Sequence, residues 1–184
     1  MQKTAKIIAL LIIILITSCK KPLDHYNKAV YAGNMAISLT EMESRIERIQ
    51  EGYEPEPIQL ASRVTMRLAA NEQYLRELKG FLGNSESDAM IKAAIAYIEY
   101  DISTVKNPET IKMLNALDKK MTPEELEEVL LEYEEYLDAM YDGKAELWET
   151  YDKEVSKYAK ANDIKEKFYG PDLKPIDTKN NLEP

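Results

Sequence analysis

The stretch TPEELEEVLLEYEEYLDAMYDGKAELWETYDKEVSKYAKA, residues 122–161, decides the fold class. It opens on an N-cap threonine, Thr122, with Pro123 at the first helical position and Glu125 placed to close a capping box. Leu126, Leu130, Tyr133, Leu137, Met140, Leu147, Tyr151, Val155 and Tyr158 then recur at near-heptad spacing. That period puts one apolar face along a helix of about nine turns. Lys144 occupies one seam position, and the spacing slips by one residue after Tyr151. Two arrangements fit: one long helix that overhangs its neighbours, or a kink and fold-back near Gly143. The continuing seam favours the long helix.

Outward from this stretch the same period recurs. Between about Asp24 and Gly52, Met35, Leu39, Met42, Ile46, Ile49 and Tyr53 form a stripe that the prolines at 55 and 57 end. From Pro57 to Leu82 the stripe is Ala61, Val64, Leu68, Asn71, Leu75, Leu78 and Leu82, with Asn71 its one polar member. A polar residue there reads as a registry device or half of a hydrogen-bonded pair. A third segment starts near Ser85 or Ser87 and carries Ile91, Ile95, Ile98, Ile102 and Val105. Asn107-Pro108 interrupts it, and Ile111, Leu114 and Leu117 predict a short helix to about Lys119. No long period-two alternation competes. The expectation is an all-α chain, an up-down four-helix bundle over residues 24–168 with a long last helix. Residues 169–184, with three prolines and no apolar period, read as a flexible tail.

Composition narrows the chemistry. The 184 residues hold 24 Lys+Arg against 33 Asp+Glu, one His and one Cys. One Cys rules out a disulfide framework and a cysteine zinc site. A net charge of −9 argues against nucleic acid, which needs a basic face. No glycine-rich phosphate loop, Glu-x-x-His motif or nucleophile elbow occurs, so neither a cofactor nor a metal is expected.

The N-terminus reads as an address. Lys3 and Lys6 precede an apolar run from Ile7 to Ile16, too short to span a bilayer of about 30 Å. Ile16-Thr17-Ser18-Cys19 follows and resembles the lipobox of bacterial lipoproteins. The resemblance implies removal of residues 1–18 and acylation of Cys19, with residues 19–23 as a short linker. Several acyl chains anchor a protein firmly where one would be marginal. The outer membrane is the expected location; the residues after Cys19 lack the acidic run of many surface-exported lipoproteins, which argues against the surface but leaves the face open.

Residues 123–142 hold nine acidic residues and no basic one, whereas 143–168 hold six of each. Acids first and lysines last suits the helix dipole, so a solvated face is one reading. The other is a docking face for a protein partner of cationic character. Its candidate residues are Glu124, Glu128, Glu132, Tyr133, Glu135, Tyr136 and Trp148, since Tyr and Trp are enriched in binding hot spots. The same aromatics could instead form an amphipathic core boundary. Arg45, Arg48, Arg63, Arg67 and Arg76 cluster in the first two segments, and Arg63 and Arg67 share a face. Solvation, or pairing with the acidic helix, is expected for them. His25 falls in a first helical turn and no catalytic partner stands beside it.

The chain as a whole resembles a family of small helical lipoproteins of the Bacteroidota and some spirochaetes. The resemblance rests on the lipobox followed by Pro22-Leu23-Asp24-His25-Tyr26-Asn27-Lys28-Ala29-Val30, and on the close at Tyr158-Ala159-Lys160-Ala161-Asn162-Asp163-Ile164. It implies an envelope location and a helical fold. No activity or catalytic residue comes with it. The functional expectation is a non-catalytic binding or structural module. The alternatives are a bundle that binds a small ligand and a carboxylate-based hydrolase of envelope polymers.

Overall fold

The computed structural model describes residues 22–53 and 59–165. The expected signal segment 1–18, Cys19, the prolines at 55 and 57, and the expected tail 169–184 lie outside them. The described residues form seven helices: α1 (Pro22–Met35), α2 (Thr40–Gln50), α3 (Leu60–Lys79), α4 (Asp88–Lys106), α5 (Pro108–Leu117), α6 (Pro123–Glu132) and α7 (Glu134–Ala161). The protein is all-helical.

Two of the four expected segments are broken. The first splits at residues 36–39, between α1 and α2. Ser38 turns inward there, and its amide and hydroxyl both donate to the Asp101 carboxylate, at 3.3 and 2.6 Å. A partner on a distant helix thus replaces the local ladder. The last segment breaks at Tyr133, while α7 runs unbroken through Gly143. The Tyr133 amide bonds the Leu130 carbonyl at 3.2 Å, a tightened turn, before the Leu137 amide resumes on the Tyr133 carbonyl at 2.8 Å. That turn swings the Tyr133 ring into the core, where only 8% of the residue is exposed.

Gly143 serves a close approach and not a kink. A Cβ on it would overlap the Tyr100 hydroxyl. That hydroxyl donates to the Met140 carbonyl at 3.0 Å, so the phenol lies flush on α7.

α4 is the centre. Eleven of its 19 residues are buried, so it is apolar on most sides. It packs against α1, α3 and α7. The apolar interior falls into two clusters. One gathers Ala29, Ala32, Tyr74, Leu78, Ile91, Ala94, Ile98, Tyr151 and Val155, from α1, α3, α4 and α7. The other gathers Met42, Ile49, Leu60, Val64, Met113, Leu114, Leu117 and Leu126, from α2, α3, α5 and α6.

A polar layer separates them. Asn71 donates to the Ser38 hydroxyl at 3.0 Å and to Asp101 at 2.8 Å. All three residues are buried. Burial pushes the Asp101 carboxyl above its ordinary range, while the Ser38 and Asn71 hydrogen bonds and the Lys144 charge pull it back. Asn71 and Lys144, the two polar intruders of separate stripes, therefore belong to one level of the bundle. Asn71 is the hydrogen-bonded pair member its stripe predicts.

Tyr151 ties α7 to α1. Its ring stacks on Tyr97 at 5.4 Å, and its hydroxyl donates to the Ala29 carbonyl at 2.9 Å. A Cβ at Gly33 would lie 2.9 Å from that hydroxyl and 3.4 Å from two ring carbons. Tyr151 is 1% exposed and has nowhere to move. Gly33→Ala should therefore destabilise the protein by about 1–3 kcal/mol through overpacking. This reverses the stabilisation of about 1 kcal/mol that alanine gives over glycine in an open helix. Urea unfolding of the two forms checks it; an unchanged or raised midpoint would show that α1 and α7 part easily.

Candidate functional site

The acidic face begins as its sequence predicts. Thr122 and Glu125 close a capping box, the Thr122 amide reaching the Glu125 carboxylate at 2.8 Å and the Glu125 amide returning to the Thr122 hydroxyl at 3.3 Å. Hydrogen bonds from its own backbone amide and from Thr122 hold the Glu124 carboxyl below the usual range. Leu126 is the buried residue of α6 and fixes which way the helix faces. Glu124, Glu128, Glu132 and Glu135 consequently project into solvent.

The aromatic candidates do not join them. Tyr133 is buried. Tyr136 is half-buried, with its hydroxyl 2.6 Å from that of Thr110, which in turn donates to the Thr104 carbonyl. Trp148 is half-buried too, leaning on Tyr97 at 5.5 Å and Tyr151 at 5.3 Å. All three brace α7 against α4 and α5, as an amphipathic core boundary would. Tyr141 is the more exposed ring; its hydroxyl donates to Glu43 on α2 at 3.3 Å, and burial beside that carboxylate pushes it up to about 12.

What the acidic face carries instead is leucine. A groove of about 510 Å³ lies between the end of α2 and the α6–α7 joint. Leu126, Leu130, Leu131 and Leu137 line it, with Glu127, Glu134 and Asp138 at its polar margin. Leu131 is 62% exposed. The consecutive leucines 130 and 131 were the available sequence signal, because a seam of period 3.5 can bury only one of two neighbours.

Two of the arginines pair with a different helix. Arg63 and Arg67 on α3 share a face as expected, but both reach Glu41 on α2, at 3.6 and 3.4 Å. Arg45 is 1% exposed; its guanidinium donates from Nε to the Leu117 carbonyl at 3.0 Å and from a terminal nitrogen to the Lys119 carbonyl at 2.8 Å. These carbonyls end α5 and would otherwise lack partners. Other interhelical ion pairs, Lys28–Glu77, Lys79–Glu99 and Lys106–Glu72, also lie away from α6.

A larger groove, about 840 Å³, lies between α1 and α3. Tyr31 meets Tyr74 edge-on at 5.1 Å, and the Lys28 ammonium sits 3.0 Å from Glu77 and 5.1 Å from the Tyr74 ring centre. Asp24 and Glu77 are its two carboxylates. A hydrogen bond from Lys28 and that residue's charge hold Glu77 below the usual range, opposite to what a general acid needs. Nearby, His25 packs edge-on to Phe81 at 5.2 Å with Nδ1 2.6 Å from the Ser87 hydroxyl. Both His25 and Ser87 are buried, so the pair pins the start of α1 to that of α4.

Among the described residues no group of three or more His, Cys, Asp or Glu converges as a metal cage. No helix among them is long and apolar enough to cross a membrane. The fold and surfaces define a small all-helical protein with an acidic, leucine-lined face. No protein-family model, curated protein or solved structure matches the chain.

Proposed function

We propose that this chain is a lipid-anchored envelope protein that works without catalysis, docking a protein partner of cationic character on the exposed face of α6 and the start of α7. The observation that carries the reading is a run of nine carboxylates without one basic residue, with an exposed leucine in its midst. Leu131 adds an apolar contact within the acidic run, next to the leucines of the α2–α6–α7 groove. The arrangement fits an up-down bundle of four helical segments, α1–α2, α3, α4–α5 and α6–α7, whose last segment offers its outer side. Cys19 would carry the acyl chains. α1 starts at Pro22, so three residue steps, about 11 Å of chain at most, would separate the anchor from the helices.

Two measurements test this. Mass spectrometry of the mature N-terminus should show acylated Cys19; an unmodified cysteine would remove the anchor. Crosslinking in intact envelopes should join the protein to a basic partner, and changing Glu124, Glu128, Glu132 and Glu135 to glutamine should cut the yield at least fivefold. Equal yields from both forms would overturn the docking face.

A second reading rests on the α1–α3 groove. Its volume and its Tyr31–Tyr74 wall suit a small ligand.

A further inference from the structure

We infer that the α2–α6–α7 groove is the seat of a cationic amphipathic helix, which the partner inserts with an apolar side down. The inference rests on the docking reading above and names the chemistry of its partner. Three observations converge on it.

The floor is apolar and the margin has one sign. Leu126, Leu130, Leu131 and Leu137 form the floor, Glu127, Glu134 and Asp138 the margin, and no lysine or arginine lines the groove. A neutral apolar peptide would gain the floor but strip water from three carboxylates without replacing their partners. A basic polar segment would satisfy the carboxylates and leave the leucines wet. A segment with leucine-like residues on one side and Lys or Arg flanking them does both.

At the groove's end Gln50, the last residue of α2, adds a neutral polar side chain, so no charge among the lining residues there opposes a cation.

The spread of the floor indicates the partner's form. Leu126, Leu130 and Leu131 come from α6 and Leu137 from α7, so the apolar floor runs across the Tyr133 joint. A partner helix places apolar anchors at i, i+4 and i+7 on one side and can meet several of these leucines at once. This is the helix-in-groove mode of recognition. The tightened turn at Tyr133 makes it available here, because that residue swings inward and leaves Leu131 outside.

The probe is a fluorescein-labelled 14-residue peptide of leucine and lysine with leucines at i, i+4, i+7 and i+11. Its control is a scrambled peptide of equal composition without the period. Anisotropy is read on the full chain carrying Cys19→Ser, so that no acyl chain competes. The periodic peptide should bind at least tenfold tighter than the scrambled one. Leu131→Asp should lower its affinity at least tenfold, and so should combined Glu127→Gln, Glu134→Gln and Asp138→Asn. Leu131 and these carboxylates are exposed, so thermal melts of the variants should match the parent. Equal binding of both peptides, or binding that survives Leu131→Asp but falls on neutralisation, overturns the groove and leaves an acidic docking face. Binding that both sets of substitutions leave unchanged overturns the groove alone, since the docking face is read by the separate crosslinking of the Glu124, Glu128, Glu132 and Glu135 variant.

Discussion

Asp101→Ala should destabilise the protein by about 2–4 kcal/mol, because buried donors lose their acceptor while the cost of burying a carboxylate is relieved. The carboxylate accepts the Ser38 amide, the Ser38 hydroxyl and the Asn71 amide, all inside the bundle. Alanine would strand those donors between two apolar clusters, at about 1–3 kcal/mol for each one that finds no other partner. Asp101→Asn should cost less, because Asn71 can turn its amide to offer an oxygen. Chemical denaturation of the three proteins at pH 7 checks the order.

The same residue sets a pH signature. Burial raises its folded-state pKa above the ordinary 3.8, so the folded protein takes up this proton before the unfolded chain does. Acidification through that raised value toward 3.8 should then make Asp101's contribution to stability more favourable. The free-energy difference between the parent and Asp101→Asn should therefore shift in the parent's favour as pH falls from 7 toward 4. A difference that is flat with pH would mean that Lys144 and the two donors fully offset burial.

Arg45→Met should have an effect of similar size, about 2–4 kcal/mol, from two carbonyls left without a donor. Methionine fills much of the volume but leaves the Leu117 and Lys119 carbonyls without their charged donor. Burial lowers the pKa of this guanidinium, and the Asp118 carboxylate pulls it back up. Arg45→Lys should recover only part of the loss, since an ammonium cannot match a planar fork reaching two carbonyls. These carbonyls flank the turn that leads into α6. Hydrogen exchange in α6 should accordingly rise in Arg45→Met beyond any rise in α1; a uniform increase across the helices would show that Arg45 only supports global stability.

Much of the local structure was legible in the residues. Thr122, Pro123 and Glu125 mark the start of α6 because a capping box involves only neighbours. Asn107-Pro108 separates α4 from α5 for the same reason, with the Asn107 side chain accepting from the Glu109 amide at 2.9 Å. Two breaks were not legible. Leu39 and Met42 continue a good stripe across residues 36–39, and Tyr133 sits correctly in its seam, so period alone predicts continuous helices there. Gly143 raised a possible kink that the seam outweighed, and the helix does run on there; the glycine's role is to admit Tyr100 from α4, 43 positions earlier.

The candidate site divided along the same line. The carboxylates at 124, 128, 132 and 135 are exposed, as a polar face at helical spacing predicts. Tyr133, Tyr136 and Trp148 face α4 and α5, and Leu130, Leu131 and Leu137 supply the groove floor. An aromatic near a seam can point either way until a neighbouring helix claims it.

By itself, then, the sequence determined the helical class, most helix ends and the acidic half of the last segment. Each depends on residues within about one helical turn of one another, or on a count. Only the tertiary structure decided that Ser38, Asn71 and Asp101 form one buried layer and that Arg45 closes α5. It also decided that Leu131 is left in water while Tyr133, Tyr136 and Trp148 turn toward the core. The Ser38–Asp101 bonds span 63 positions and the Arg45–Leu117 bond 72. Pairings at that range are set by how the helices register against one another, and side-chain periodicity within a single helix carries no information about it.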